Sequence, residues 1–464
     1  MGFVTYTFLF VFLPITLALY YAVRPGARLV VLTIASFIFY AWWRLDFCGL
    51  FLASTLASYR LGQLIDQSQD IRLRKRWLTI ALALNFGMLG YFKYANFFIA
   101  NANELLGAMG IHQIAWTSVI LPIGISFYTF HITSYLVDVY RRDAQASKSF
   151  VQYACYISMF PQLVAGPIVR YNTIAAQLVE RSHTPEKFAR GILLFMIGFC
   201  KKVLLADQLA RLADFVFGAS SHGFTDSWLG LYAYTMQLYF DFSGYSDMAI
   251  GLALMFGFEF LKNFDSPFKS RSITEFWRRW HMSLSQWLRN YLYIPLGGNR
   301  HGEARTYLNL SATMLLGGIW HGANWTFLIW GGYQGVLLIA ERLNGKRPVG
   351  SFGIRFLEWP STFLLVMVGW AIFRAPDFSS LSSLLGGLLG LGGTGSLHAL
   401  IPIMKPLTVL TLVLTGVLAF WAPQSWDIAA RITWPRAIVF SSLFLLAIIK
   451  MIFSSYTPFL YFQF

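Results

Sequence analysis

The sequence predicts an all-α, multi-pass membrane protein, and three observations carry that expectation. Of 464 residues, 56% are hydrophobic and only 12% charged, about half the roughly 25% charge found in soluble domains. Mean hydropathy is +0.55, and apolar runs of the ~20-residue length needed to cross a bilayer recur along the chain. Sixteen Trp and 43 Phe supply the rings that gather at bilayer boundaries.

Taken in order, the apolar runs lie near 3–23, 29–45, 47–65, 77–99, 116–138, 149–168, 188–206, 227–257, 306–340, 355–373, 403–421 and 437–455. They give roughly 11–13 transmembrane segments, in a single helical membrane domain spanning 1–464. The first run lacks a basic leader and ends at Arg24-Pro25-Gly26 without a small-residue cleavage site, so it reads as a span rather than a cleaved signal. Arg24 and Arg28 follow it, which puts the N-terminus outside; the basic stretch from Arg60 to Arg76, then Arg141, Arg142 and Lys148, fall on the cytoplasmic side. Lys201 and Lys202 interrupt the later apolar pattern. The stretch 376–400, rich in Gly, Ser and Leu, reads as a loop or a surface-lying segment.

A net charge of +15 would suggest nucleic acid in a soluble protein. Here it reads as positive-inside bias and attraction to anionic membrane lipids, with no nucleic acid involved. Cys48, Cys155 and Cys200 stand far apart in apolar sequence and show neither metal-ligand spacing nor a disulfide framework. No H-x-x-x-H, Cys-x-x-Cys or Walker-type loop is present, so the expectation is no metal and no bound cofactor.

Two stretches depart from ordinary spans. Residues 261–305 carry eight Lys and Arg against three Asp and Glu, and 306–340 then carries none of these. A straight helix of that second length would reach roughly 50 Å at 1.5 Å per residue, against a core of about 30 Å. It must tilt strongly or break, most easily at Gly317-Gly318 or Gly322-Ala323-Asn324. His321 lies in that region, and an ionisable residue inside a membrane is expensive enough to be a functional candidate. Burial favours the neutral, proton-accepting imidazole. The competing reading is a core imidazole bonded to a carbonyl freed by the break.

His281 lies in Phe276-Trp277-Arg278-Arg279-Trp280-His281, and at helical period residues 276–291 form an aromatic face opposite Arg278, Arg279, Ser283, Gln286, Arg289 and Asn290. That predicts one amphipathic interfacial helix with His281 turned inward. His281 is either catalytic or a buried bridge between helices; Arg278 and Arg279 are either interfacial anchors or contacts to donor phosphates. Asp241 and Asp247 flank Ser243-Gly244, which suggests a turn, with Ser246 or Asp247 capping the next helix; capping or pairing with an arginine is the reading for the carboxylates, with catalysis as its rival. The run Pro161 to Arg170 is too broken for a regular span and reads as re-entrant. His112, His183, His222, His301 and His398 fall in apparent loops, and His131 on a helix face.

Together, Phe160–Arg170, Tyr239–Gly251, Phe276–Arg300 and Met314–Gly332, with Ser36–Trp43 and Tyr91–Tyr94, resemble the membrane-bound O-acyltransferase family. The likeness covers most of the chain, with a core at about 160–335, and is strongest to bacterial proteins that O-acetylate exopolysaccharides of the alginate or cellulose type. The resemblance implies that His321, in Trp-His-Gly, is the catalytic residue and that His281 is a second functional position. Where relatives are expected to carry Asp after Trp-Leu-Arg, this chain has Asn290.

From this resemblance follows an inner-membrane acyltransferase that takes acetyl from acetyl-CoA or another cytoplasmic thioester. His321 and His281 would be the catalytic residues, His321 acting as base, with Trp320, Asn324, Arg278 and Arg279 as candidate substrate contacts. His281, Asn324 or amides near Gly322 could stabilise the oxyanion. Periplasmic polysaccharide-modifying proteins, a separate acetyltransferase among them, are the expected partners. The rival readings are a transporter or flippase without covalent chemistry, and D-alanyl transfer to teichoic acid within the same family.

Overall fold

The computed structural model describes residues 1–345, 347–351, 353–393, 400–453 and 459–460, and among these it contains helices and no strand. His398 lies outside the described residues. The chain divides into two compact units, one of Met1–Phe188 with Leu252–Leu261, the other of Ala189–Gly251 with Lys262–Phe464.

The first unit is built from α1 (Thr7–Ala22), α2 (Arg28–Ala41), α3 (Asp46–Gln67), α4 (Ile71–Ala108), α5 (Ile125–Arg141), α6 (Phe150–Ser158), α7 (Phe160–Leu163) and α8 (Tyr171–Val179). Buried polar side chains tie these helices together. Tyr153 donates to Ser58 Oγ at 2.7 Å, and Asn85 donates to Thr129 O and Thr133 Oγ1 at 3.0 and 3.1 Å. The apolar run 116–138 is helical only from Ile125, because Pro122 and the left-handed Gly124 (φ 73°) end the irregular approach to α5. The Pro161–Arg170 stretch is a single turn followed by irregular backbone, buried in the protein through Val169.

The second unit carries most of α9 (Pro185–Cys200), a π-turn Lys201–Ala206, α10 (Asp207–Phe217), most of α11 (Phe224–Met255), α12 (Ile273–Arg279) and α13 (Met282–Leu288). It continues with α14 (Gly302–His321), α15 (Trp325–Leu343), α16 (Glu358–Arg374), α17 (Phe378–Leu388), α18 (Pro406–Trp421), α19 (Ser425–Ala429) and α20 (Trp434–Phe453). Helix α17 occupies much of the stretch read as a loop: Asp377 caps it by accepting from Ser380 N at 2.8 Å, and Leu381, Leu384 and Leu388 bury one face. Two helices among the described residues are long and apolar enough to cross a bilayer by length and composition, Arg355–Arg374 and Trp434–Phe453.

Helix α11 corrects the turn expected at Ser243-Gly244, since it runs unbroken through both. Gly244 is there for contact: a Cβ on it would stand 2.7 Å from Gly198 O on α9. Close backbone approach of this kind, through small residues, is how membrane helices gain packing contacts.

Candidate active site

The long uncharged stretch folds as a hairpin. Helix α14 ends at His321, Gly322 is extended (φ −165°, ψ 158°), and α15 restarts at Trp325. Asn324 caps the new helix by accepting from Thr326 N at 3.1 Å and donates to Pro376 O at 2.8 Å. Gly318 and Gly331 bring the two arms together: a Cβ on Gly318 would lie 2.3 Å from Phe327 O, and one on Gly331 2.4 Å from Met314 O. The break expected near 317–324 therefore falls at its Gly-Ala-Asn end, and Gly318 serves the packing of the arms.

His281 does not sit inside one amphipathic helix. Helix α12 stops at Arg279, His281 takes the left-handed conformation (φ 42°, ψ 52°), and α13 starts at Met282. The cause is tertiary. Buried Glu341 on α15 accepts from Ile273 N (2.5 Å), Thr274 N (2.9 Å) and Thr274 Oγ1 (2.7 Å), clamping the positive end of α12. Trp277 Nε1 adds a bond to Gln334 Oε1 at 3.2 Å on the same helix. On the other side of the break, Asn263 holds His281, Met282 and Ser283. Ser283, placed by the periodicity on a polar outer face, is buried.

Both histidines border one small cavity of about 20 Å³, lined also by Asp241, Phe242, Trp277, Trp280, Trp330, Trp370, Phe373 and Leu460. That is room for about one water molecule. Packed rings set the imidazoles in place. His321 meets Trp330 and Phe373 edge-on at 5.2 and 5.1 Å, and His281 meets Phe242 at 4.7 Å and 89°. His281 is 1% exposed and His321 8%.

The one carboxylate at the cavity is held in an ion cluster. Lys202 Nζ lies 2.5 Å from Asp241 and 2.8 Å from Asp207, and Leu460 N donates to Asp241 at 2.9 Å. The Phe459 ring lies 4.7 Å from the same ammonium. A buried pair is tolerable only when its remaining lone pairs are also bonded, and Asp241 meets that with one oxygen on Lys202 and the other on Leu460 N. Asp247 pairs with Lys201 at 2.7 Å and accepts from Ser425 Oγ at 2.6 Å. Both aspartates thus pair with lysine, where helix capping or an arginine partner was expected. The sequence signal for this was Lys201-Lys202 interrupting an apolar run.

The remaining candidates lie off the cavity. Trp320 is buried with its ring 5.0 Å from His321, but does not line the space. Asn324 is engaged as a helix cap. Arg278 is exposed, and Arg279 is held by Glu275 at 2.9 Å and by Asp265 O at 3.2 Å. Asn290 lies on the π-turn Arg289–Tyr293. Asn263, Glu341 and Lys202, which build the site, were not singled out as site residues by the sequence. Among the described residues, no group of three or more His, Cys, Asp or Glu could hold a metal ion.

The chain is similar to several known proteins. Over 489 positions the chain is 45% identical to a protein named probable alginate O-acetylase AlgI from Pseudomonas putida, covering both chains in full. It is 52% identical over 379 positions to the protein of that name from Azotobacter vinelandii, covering 81% of this chain and 76% of that one. A peptidoglycan O-acetyltransferase from Helicobacter pylori is 37% identical over 426 positions, covering 84% of this chain and 80% of its own. Residues 41–347, which take in both cavity histidines, match the membrane-bound O-acyltransferase family, and the chain, a membrane-bound acyltransferase, belongs to it.

Proposed function

We propose that this enzyme transfers an acetyl group from a cytoplasmic thioester, acetyl-CoA being the simplest donor, for the O-acetylation of an alginate-type exopolysaccharide. It would do so as a multi-pass protein of the bacterial inner membrane. The observation that carries the proposal is the meeting of two imidazoles, one at the end of α14 and one at the break between α12 and α13, at one cavity walled by aromatic rings. Full-length similarity to a protein named for alginate O-acetylation supports the substrate class.

In this mechanism the donor's acyl carbon comes to rest beside His321. The acceptor oxygen forms the new C–O bond as the C–S bond breaks. His321 takes the hydroxyl proton and passes it to the departing thiolate. General-base help of this kind contributes roughly 10²–10⁴-fold. A space of about 20 Å³ is far below the roughly 300–1,000 Å³ of ligand sites, so the surrounding rings must part before either substrate reaches the histidines. Periplasmic polysaccharide-modifying proteins would carry the acetyl group onward to the polymer.

Purified protein given radiolabelled acetyl-CoA should release CoA and pass label to acceptor, with His321→Ala losing about 10²-fold or more. A wild-type protein that moves substrate across vesicles without releasing CoA would establish the transporter reading instead.

A further inference from the structure

Asn263 holds the hinge on which His281 sits. It is 1% exposed. Its backbone O accepts from Met282 N at 2.9 Å, and its side-chain Oδ1 accepts from Ser283 N at 3.1 Å and Ser283 Oγ at 2.9 Å. A backbone amide can only donate, so the Asn263 atom that faces Ser283 N is the oxygen of the side-chain amide. Its nitrogen is accordingly free to donate to Ser246 Oγ at 3.1 Å.

His281 Nδ1 lies 3.3 Å from that same oxygen, the longest of the three contacts it accepts. An amide oxygen offers lone pairs only, so Nδ1 must carry a proton to bond there. A neutral imidazole has a single N–H. Nε2 is then a bare lone pair, and it is buried with no hydrogen-bond partner among the described residues. The ring borders the cavity, and Phe242 packs across it.

We infer that Asn263 is a positioning residue that fixes His281 in the Nδ1-protonated form, so that Nε2 meets the cavity as a hydrogen-bond acceptor. The inference deepens the proposed acyl transfer and rests on it for its consequence. A neutral His281 in this form can hold a hydroxyl hydrogen or take its proton. It has no proton to offer the oxyanion of the thioester carbonyl. The ligand at this corner of the cavity is therefore a hydroxyl of the acceptor, and oxyanion donors have to come from elsewhere.

The direct test is solid-state NMR of protein carrying 15N-labelled histidine, with His281 assigned by difference against His281→Asn. The expected spectrum has Nδ1 protonated and Nε2 bare in the wild type. An Nε2–H signal for His281 overturns the inference whatever the enzyme's activity, and the one variant it needs, His281→Asn, serves only for assignment. Asn263→Leu should lose that signature and about 10–100-fold in kcat, in line with outer-shell partners elsewhere, with KM for acetyl-CoA unchanged. Asn263→Asp keeps an acceptor facing Nδ1, and Ser246 can rotate its hydroxyl to donate; it should keep the signature and recover most of the rate lost in Asn263→Leu. Equal losses in the Leu and Asp variants would overturn the positioning role. Failure of wild-type protein to release CoA would instead remove the acetyl-transfer reading and leave the tautomer standing.

Discussion

Replacing Gly318 by alanine tests, through placement alone, the base role proposed for His321. The added Cβ would stand 2.3 Å from Phe327 O and 3.1 Å from Gly331 N and Cα. Carbon and carbonyl oxygen approach to about 3.3 Å at closest, so the shortfall is about 1 Å. Every atom in the way is backbone, and no rotamer change can absorb it. The arms of the α14–α15 hairpin must separate by a similar amount, three residues before His321. Overpacking on this scale costs about 1–3 kcal/mol, and a 1 Å misplacement of a catalytic group about 10²-fold in rate. CoA release by purified protein at saturating acetyl-CoA, with Tm measured alongside, reads both numbers. Gly332→Ala is the matched control, because its Cβ would meet only Leu315 Cδ2 at 3.7 Å, an ordinary contact. The reasoning is refuted if Gly318→Ala turns over within about threefold of the wild type, or if the Gly332 control falls with it.

Three further outcomes follow from the geometry. Lys202→Met strands Asp241 and Asp207, and should cost about 3–5 kcal/mol of stability; adding Asp241→Asn should return part of that Tm loss, and no recovery would argue against a coupled cluster. Asn324→Ala removes a cap and the bond to Pro376 O, so it should lower Tm by the equivalent of about 0.5–2 kcal/mol while leaving KM for the donor unchanged; a raised KM with normal Tm would make Asn324 a substrate contact. Arg278→Ala, at an exposed position, should change stability by less than about 0.5 kcal/mol and leave donor KM alone, whereas a clear rise in KM would assign it to the donor's phosphates.

The readability of the sequence tracked how local each cause was. Helices fall where the apolar runs fall, because the run itself is what a bilayer or a buried face selects. The interruption after His321 was legible because Gly322 and Asn324 carry the local chemistry of a helix end and a cap. The interruption at His281 was hidden: Trp280-His281-Met282 contains neither Gly nor Pro, and the break is enforced by Glu341, 68 positions beyond Ile273, and by Asn263. At Ser243-Gly244 the local cue misled, since that glycine answers to Gly198 across a helix contact rather than to a turn. The lysine partners of Asp241 and Asp247 could be suspected from their odd location but not paired, for pairing depends on how α11 docks. Asn263 looked ordinary because its work is done on residues 281–283.

The backbone at His281 bears on how the position should be probed. A φ of 42° suits glycine and, to a lesser degree, asparagine or aspartate, while other side chains incur about 1–2 kcal/mol there. The native imidazole already bears that cost, and alanine would bear it too. Asparagine relaxes the twist as it removes the ring, so it should be the more stable of the two variants. A survey that paired the asparagine and alanine scores at residue 281 would part the shape of the chain from the work of the ring.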